Sequence, residues 1–265
     1  MDQKKDFLTP PMATLLGSFV IAIAILIHGG IIKIGGATPA QQAQQAAQPS
    51  QQTPAQPQVP KVTLDTIKAL FNDKNLVFGN KNSKNLLVEV ADPSCPYCHA
   101  AAGHNPELNK QLGPQFLLVA DGGTYVSPVQ EMKKLVDGGK AAFVYIYSPG
   151  HGNGEMGAKA LYCANEKGKF WEVHDKLMSS SGYDLLNTQV KNDKTKSQQV
   201  VDFLSDVSNP ADMKTCLDSG KYDAKLQEDT STAVKLGVSG TPGFFINTTN
   251  FAGAYNWKDM QSSVQ

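Results

Sequence analysis

The tetrapeptide Cys95-Pro96-Tyr97-Cys98 follows closely on an apolar run, Leu86-Leu87-Val88-Glu89-Val90-Ala91, and no other stretch restricts the fold of this chain as much. A run of that length and composition reads as a buried strand, interrupted by one carboxylate, Glu89. Two thiols separated by two residues lie one helical turn apart. Pro96 suits the first turn of a helix, where its missing N–H removes no hydrogen bond. A helix beginning at Cys95 aims free backbone N–H groups and the positive end of its dipole at that sulfur. Those groups favour thiolate over thiol, which makes Cys95 the reactive cysteine and Cys98 the resolving one. The pattern predicts a thiol–disulfide exchange site. Half of a zinc site is the competing meaning of C-x-x-C, but it needs a second close pair. Cys163 and Cys216 are isolated in sequence, and His99 and His104 complete no known spacing.

Thiol chemistry depends on compartment, and the N-terminus speaks to that. Met12 to Ile32 contains no formally charged residue and is long enough to span a bilayer as a helix. Lys4 and Lys5 precede it, which predicts a cytoplasmic N-terminus (1–11), a membrane anchor (12–34) and an exported body. A cleaved signal peptide, with Ala37-Thr38-Pro39-Ala40 as the small-residue site, is the alternative; in either case the cysteines face an oxidising space. Residues 35–60, rich in Gln, Ala and Pro, bury too little to fold and read as a disordered linker. Net charge is zero and all 24 basic side chains are lysine, so forked guanidinium contacts to phosphate or guanine are absent and nucleic-acid recognition is disfavoured.

From Lys61 onward the periodicity predicts a short helix over 62–71 capped by Thr63, a strand over 76–78, and a turn at 79–82. The strand 86–91 and the cysteine helix follow, with Pro106 kinking or restarting the helix. A strand is expected over 115–120. A helix over 127–136 has Ser127 as N-cap and Gln130 at the capping-box position. Ala142 to Tyr147 is a strong β run. Five helical segments then follow without a strand, over 156–168, 169–178, 190–207, 211–219 and 222–236. The chain returns to β at 243–247, with 251–255 as hairpin partner and a closing helix over 257–264. This order describes one α/β domain in two parts, 61–150 and 229–265, with a helical insertion over 151–228.

Four further features bear on chemistry. Burial among apolar neighbours raises the pKa of Glu89, and a buried carboxyl beneath Cys98 is a proton carrier for disulfide exchange; an outward-facing Glu on an edge strand is the alternative. Thr241-Pro242, flanked by glycines directly before a buried strand, is a candidate cis peptide. Cys163 and Cys216 are an even pair in an exported chain, which favours a structural disulfide over two buried thiols. Gly152-Asn153-Gly154-Glu155-Met156-Gly157 has the letter of a dinucleotide fingerprint, but no second parallel strand follows it, and it reads as a flexible hinge entering the helical block. Phe170 and Trp171 read as core.

Three separated stretches, Leu76 to Cys98, Leu161 to Lys176 and Ala233 to Asn247, together closely resemble DsbA-like thiol–disulfide oxidoreductases of the thioredoxin superfamily, including the membrane-anchored BdbD-like ones. The resemblance implies a thioredoxin fold with an inserted helical domain, preceded by one transmembrane helix. It implies that Thr241-Pro242 is cis, packs against the cysteine pair and pairs its backbone edge with substrate, and that Glu89 is the buried acid. Cys95, Cys98, Glu89, Pro96 and Tyr97 are then the catalytic set, with no cofactor and no metal. Reduced exported polypeptides are the implied substrates, and a quinone-linked membrane enzyme of the DsbB or vitamin-K-epoxide-reductase type the implied reoxidant. The central dipeptide Pro-Tyr matches glutaredoxins rather than the Pro-His of the most oxidising members. A reductase or isomerase using the same site, and a non-catalytic peptide-binding module, are the two rival functions.

Overall fold

Five strands decide the architecture of the computed structural model, which describes residues 61–265. The predicted membrane span and linker lie outside the described residues; among the described residues no helix is long and apolar enough to cross a membrane. The strands are β1 (Leu76–Gly79), β2 (Leu86–Ala91), β3 (Ala142–Tyr147), β4 (Gly243–Ile246) and β5 (Thr249–Ala252), in the order β1-β3-β2-β4-β5. Only β2 and β3 run parallel; β1, β4 and β5 join antiparallel. The helices are α1 (Leu64–Lys68), α2 (Pro96–Ala102), α3 (Pro106–Gln111), α4 (Pro128–Asp137), α5 (Glu155–Asn165), α6 (Phe170–Leu177), α7 (Ser180–Asp184), α8 (Ser197–Phe203), α9 (Pro210–Asp218), α10 (Asp223–Lys235) and α11 (Trp257–Met260).

Alternation along the strands sorts the core into two layers. Leu86, Val88 and Val90 lie with Val144, Ile146 and Phe245 beneath Ile67 of α1 and Ala233 of α10. Leu87 and Ala91 lie on the opposite face with Phe143, Tyr145, Phe244 and Ile246, and that layer continues through both free cysteines into the helical block. Because both faces are covered, β2 and β3 are buried at every position, which is why each reads as a continuous apolar run. Glu89 falls by the same alternation on the face of Leu87 and Ala91, the cysteine side of a central strand. The edge-strand alternative for Glu89 therefore fails.

Most predicted elements are present, with Thr63 capping α1 by accepting from Thr66 N–H and Phe170 buried with Trp171 packed against the core. Four expectations are corrected. Residues 115–120 form no strand: Pro114–Phe116 and Val119–Asp121 are 3-10 turns, because Gly113 at φ 120° and Gly122 at φ 85° fold the chain back, leaving a single bridge from Leu118 to Tyr125. Ser127 is the N-cap of α4 but its side chain makes no cap bond; the Gln130 amide instead donates to the carbonyls of Ala102 and Gly103 at 3.2 Å each. The expected helix over 190–207 is split. A π-helical turn, Leu185–Val190, ends at Lys191 and Asn192, both left-handed, and α8 begins only at Ser197. The hairpin partner of β4 is β5 at 249–252, two residues earlier than expected. Cys163 of α5 and Cys216 of α9 form a disulfide with Cα atoms 5.9 Å apart.

Candidate active site

The end of β2 delivers the chain straight into α2. Cys95 is the N-cap residue of α2, extended at φ −77°, and Pro96 is its first helical residue. Both Cys95 and Cys98 are free thiols in this structure. The Cys98 thiol hydrogen-bonds to Cys95, and with the Thr241 side chain and the backbone N–H groups of Cys98 and Tyr97 it brings the Cys95 thiol down to about 6, against the opposing effect of burial. Cys95 keeps 4 % of its surface exposed and Cys98 none. Burial pushes the Cys98 thiol well above the ordinary range, and the neighbouring Cys95 and Glu89 push the same way, although the Asp92 N–H donates to its sulfur at 3.5 Å. The two sulfurs are thus unequal.

Glu89 lies beneath them. It is fully buried, both carboxylate oxygens lack a hydrogen-bond partner, and burial alone pushes its carboxyl up to about 8. It is protonated at neutral pH, so it has a proton to give.

The opposite wall is the loop before β4. The Thr241–Pro242 peptide is cis, Pro242 is buried, and the Thr241 carbonyl accepts from the Cys95 thiol at 3.3 Å. Tyr97, 44 % exposed, stands edge-on to Phe116 at 5.6 Å between ring centroids. Phe116 stands edge-on to Tyr125 at 5.6 Å, whose hydroxyl donates to Ala254 O. The first 3-10 turn therefore packs Phe116 against the exposed ring of the cysteine motif.

Three buried residues that no motif marks, Asp92, Ser94 and His99, complete the site. Asp92 accepts from the backbone N–H groups of Gly150, His151 and Gly152 at 2.8, 2.8 and 3.2 Å through one oxygen, and from Ser94 N–H and Oγ at 2.7 Å through the other. The glycine-rich segment is therefore no flexible hinge and no nucleotide cradle: the Gly152 amide goes to Asp92, the Asn153 amide to Ser94 Oγ at 3.1 Å and the Met156 amide to Asn192 Oδ1 at 3.2 Å, all side chains of the chain itself. Gly150 is required there, since a Cβ would overlap the Thr241 hydroxyl. His99 has Nε2 2.8 Å from Pro93 O and Nδ1 2.9 Å from Met178 O; burial takes its pKa down to about 4, overriding both carbonyls. Apart from the neighbouring Ser94, the partners of Asp92 are distant in the chain, and no local sequence signal marks them or Gly150. Among the described residues no group of three or more His, Cys, Asp or Glu is placed to hold a metal ion.

Comparison with known proteins agrees with this architecture. Residues 126–265, just over half of the chain, match the Thioredoxin family; that stretch holds β3, the helical block and the cis proline, while Cys95 and Cys98 precede it. The chain is 24 % identical over 205 residues to a Na(+)/H(+) antiporter of Salinispora tropica, covering 76 % of this chain and 26 % of the antiporter. A candidate protein-disulfide oxidoreductase of Rickettsia conorii is 25 % identical over 213 residues, 76 % of this chain and 64 % of that protein. The chain thus spans about a quarter of the first relative and just under two thirds of the second. The crystal structure of alpha-DsbA1 from Wolbachia pipientis superposes with a TM-score of 0.55 at 19 % identity, covering 75 % of this chain and 94 % of that one, a likeness of fold.

Proposed function

The chain belongs to the thioredoxin family, and on that premise we propose that it is a DsbA-like thiol–disulfide oxidoreductase that donates the Cys95–Cys98 disulfide to reduced exported polypeptides. The inequality of the two sulfurs carries this reading: a Cys95 held near 6 that keeps a small exposed surface, beside a sealed Cys98 held high. A substrate thiolate attacks the Cys95 sulfur of the oxidised pair. The Cys95–Cys98 bond breaks, a mixed disulfide forms, and Cys98 departs with the electron pair. A high-pKa thiolate is a poor leaving group, and the Glu89 carboxyl supplies the proton it needs. A second substrate thiolate then attacks the substrate sulfur of the mixed disulfide, releasing Cys95 as a thiolate that its surroundings stabilise. The substrate ends oxidised by two electrons and the pair reduced.

Residues 12–34 are the anchor in this reading, with the N-terminus cytoplasmic, residues 35–60 the tether, and the catalytic domain extracytoplasmic. The helical block over 151–228 is an insertion in the thioredoxin fold, the Cys163–Cys216 disulfide is structural, and Thr241-Pro242 receives the substrate backbone. A quinone-linked membrane enzyme of the DsbB or vitamin-K-epoxide-reductase type restores the disulfide. Incubating the oxidised protein with a reduced, unfolded substrate tests the donor role. Transfer of the disulfide is expected, with a reduction potential well above that of thioredoxin, about −270 mV. A thioredoxin-like potential without substrate oxidation assigns the same site to reduction instead, the direction favoured by the glutaredoxin-like Pro96-Tyr97.

A further inference from the structure

The three carbonyls that lead into Cys95 are all held. Asp92 O accepts from Cys95 N–H at 2.9 Å, Pro93 O faces His99 Nε2 at 2.8 Å, and Ser94 O accepts from the Asn187 side-chain amide at 3.1 Å. The first two partners belong to the cysteine segment itself; the third belongs to the helical block. Asn187 sits in the π-helical turn Leu185–Val190, a rare, wide winding that occurs disproportionately at functional sites. Its amide nitrogen also donates to Tyr183 O at 3.1 Å, and its Oδ1 accepts from Asn153 Nδ2 at 3.2 Å. Asn153 in turn gives its backbone N–H to Ser94 Oγ at 3.1 Å. Ser94 is therefore gripped on both its carbonyl and its hydroxyl by a closed ring of hydrogen bonds running through Asn187 and Asn153. Tyr183, one turn before Asn187, stands edge-on to the His99 ring at 4.9 Å, so this face of the block lies along the first turn of α2.

We propose that Asn187 is a positioning residue for thiol exchange: from its π-helical turn it fixes the Ser94 peptide, and so keeps the Cys95 sulfur within reach of the amides at the start of α2. The inference rests on Cys95 being the reacting thiol. Hydrogen bonds weaken steeply as they lose alignment, so a Ser94–Cys95 link free to rotate lets the sulfur leave those amides and return toward an ordinary thiol. A water in place of Asn187 would satisfy the Ser94 carbonyl equally well; it would not fix its direction.

The test is the pH profile of Cys95 in two variants. Asn187→Leu keeps the volume and removes donor and acceptor. Asn187→Asp keeps the acceptor for Asn153 and replaces the donor with a charge that disfavours a nearby thiolate. In each, the Cys95 thiolate, followed by ultraviolet absorbance, is expected to titrate about half a unit to one unit higher than in the natural protein, the shift equivalent to one hydrogen bond. Alkylation by iodoacetamide should slow about three- to tenfold near pH 5, following the thiolate fraction, and stay unchanged near pH 9, where Cys95 is fully ionised in every variant. A general loosening of the fold would instead change the rate at both pH values and overturn the inference. A titration within about 0.2 unit of the natural protein in the folded leucine variant also overturns it; because a charge at position 187 moves a thiolate by itself, Asn187→Ala takes the place of the leucine variant if that one does not fold. An ordinary titration of Cys95 in the natural protein would defeat the proposed function and this inference together. A low natural value with unmoved variants would defeat the inference only.

Discussion

Glu89, the proposed proton donor to Cys98, carries a cost in stability that can be measured. Its carboxyl titrates at about 8 in the folded chain against an ordinary 4.5. Between those values the folded protein holds a proton that the unfolded chain has released, so stability falls as pH rises through the window. The cost at pH 7 is on the order of 3 kcal/mol. No partner offsets it, since both oxygens are unpaired. Glu89→Leu removes the cost at similar volume. Its melting temperature at pH 7 is expected to rise by about 6–12 °C for a domain of this size. Comparing oxidised proteins keeps Cys95 from titrating, and staying above pH 6.5 avoids His99, whose folded value is about 4. Over pH 6.5–8 the natural protein should lose stability and the variant should not. The same variant leaves Cys98 without a proton donor, and oxidation of an unfolded substrate is expected to slow by about a hundredfold, the usual scale of general acid catalysis. A variant that is more stable and equally fast would remove Glu89 from the mechanism.

Among the elements, the loop before α5 shows what the sequence conceals. Cysteine spacing, a proline at the first helical position and an apolar strand are local signals, so β2, α2 and the cysteine pair are legible in the sequence alone, as is Thr241-Pro242 from its glycine flanks. Apart from Ser94, the partners of Asp92 are not, because they lie 58, 59 and 60 residues away and contribute only backbone amides, which carry no residue signature. The same holds for Asn187, whose reach to Ser94 depends on a π turn that no periodicity announces, and for the 3-10 turn that brings Phe116 to Tyr97. Asp92→Ala would leave three converging amides without an acceptor in a buried site. It is expected to destabilise the protein by about 3–5 kcal/mol, comparable to breaking a buried charged pair, visible as a lower midpoint in urea. The disulfide between α5 and α9 is a second constraint of long range, closing a separation of 53 residues. Replacing both Cys163 and Cys216 with Ser should cost about 4 kcal/mol in the chain-entropy account and leave the initial rate of substrate oxidation unchanged well below the melting temperature. A large loss of rate without a loss of stability would assign that pair a redox role.

At the scale of the whole molecule, folding and redox poise are one quantity measured in two ways. The difference in folding stability between the reduced and oxidised proteins equals the difference in the free energy of their cysteine couple between folded and unfolded chains. A fold that stabilises the reduced form is therefore an oxidant. Cys95 is held at about 6 against an ordinary 9.0. A lowered acid contributes stability that is fully present above the unfolded value and lost as pH falls through the folded one. The contribution to the reduced protein is thus nearly absent below pH 6, about 1.4 kcal/mol at pH 7, and about 4 kcal/mol by pH 9. The oxidised protein has no thiolate and lacks it throughout. Glu89 and His99 titrate in both forms and largely cancel in the difference, and Cys98 stays protonated across this range because burial holds it high. Urea unfolding of both redox forms from pH 6 to pH 9 is accordingly expected to show the reduced protein gaining on the oxidised one by about 1.4 kcal/mol per pH unit until the gain levels off near pH 9. A gap that does not widen would mean that the fold gives the thiolate no preference, and the donor direction would then lose its physical basis even if Cys95 proved reactive.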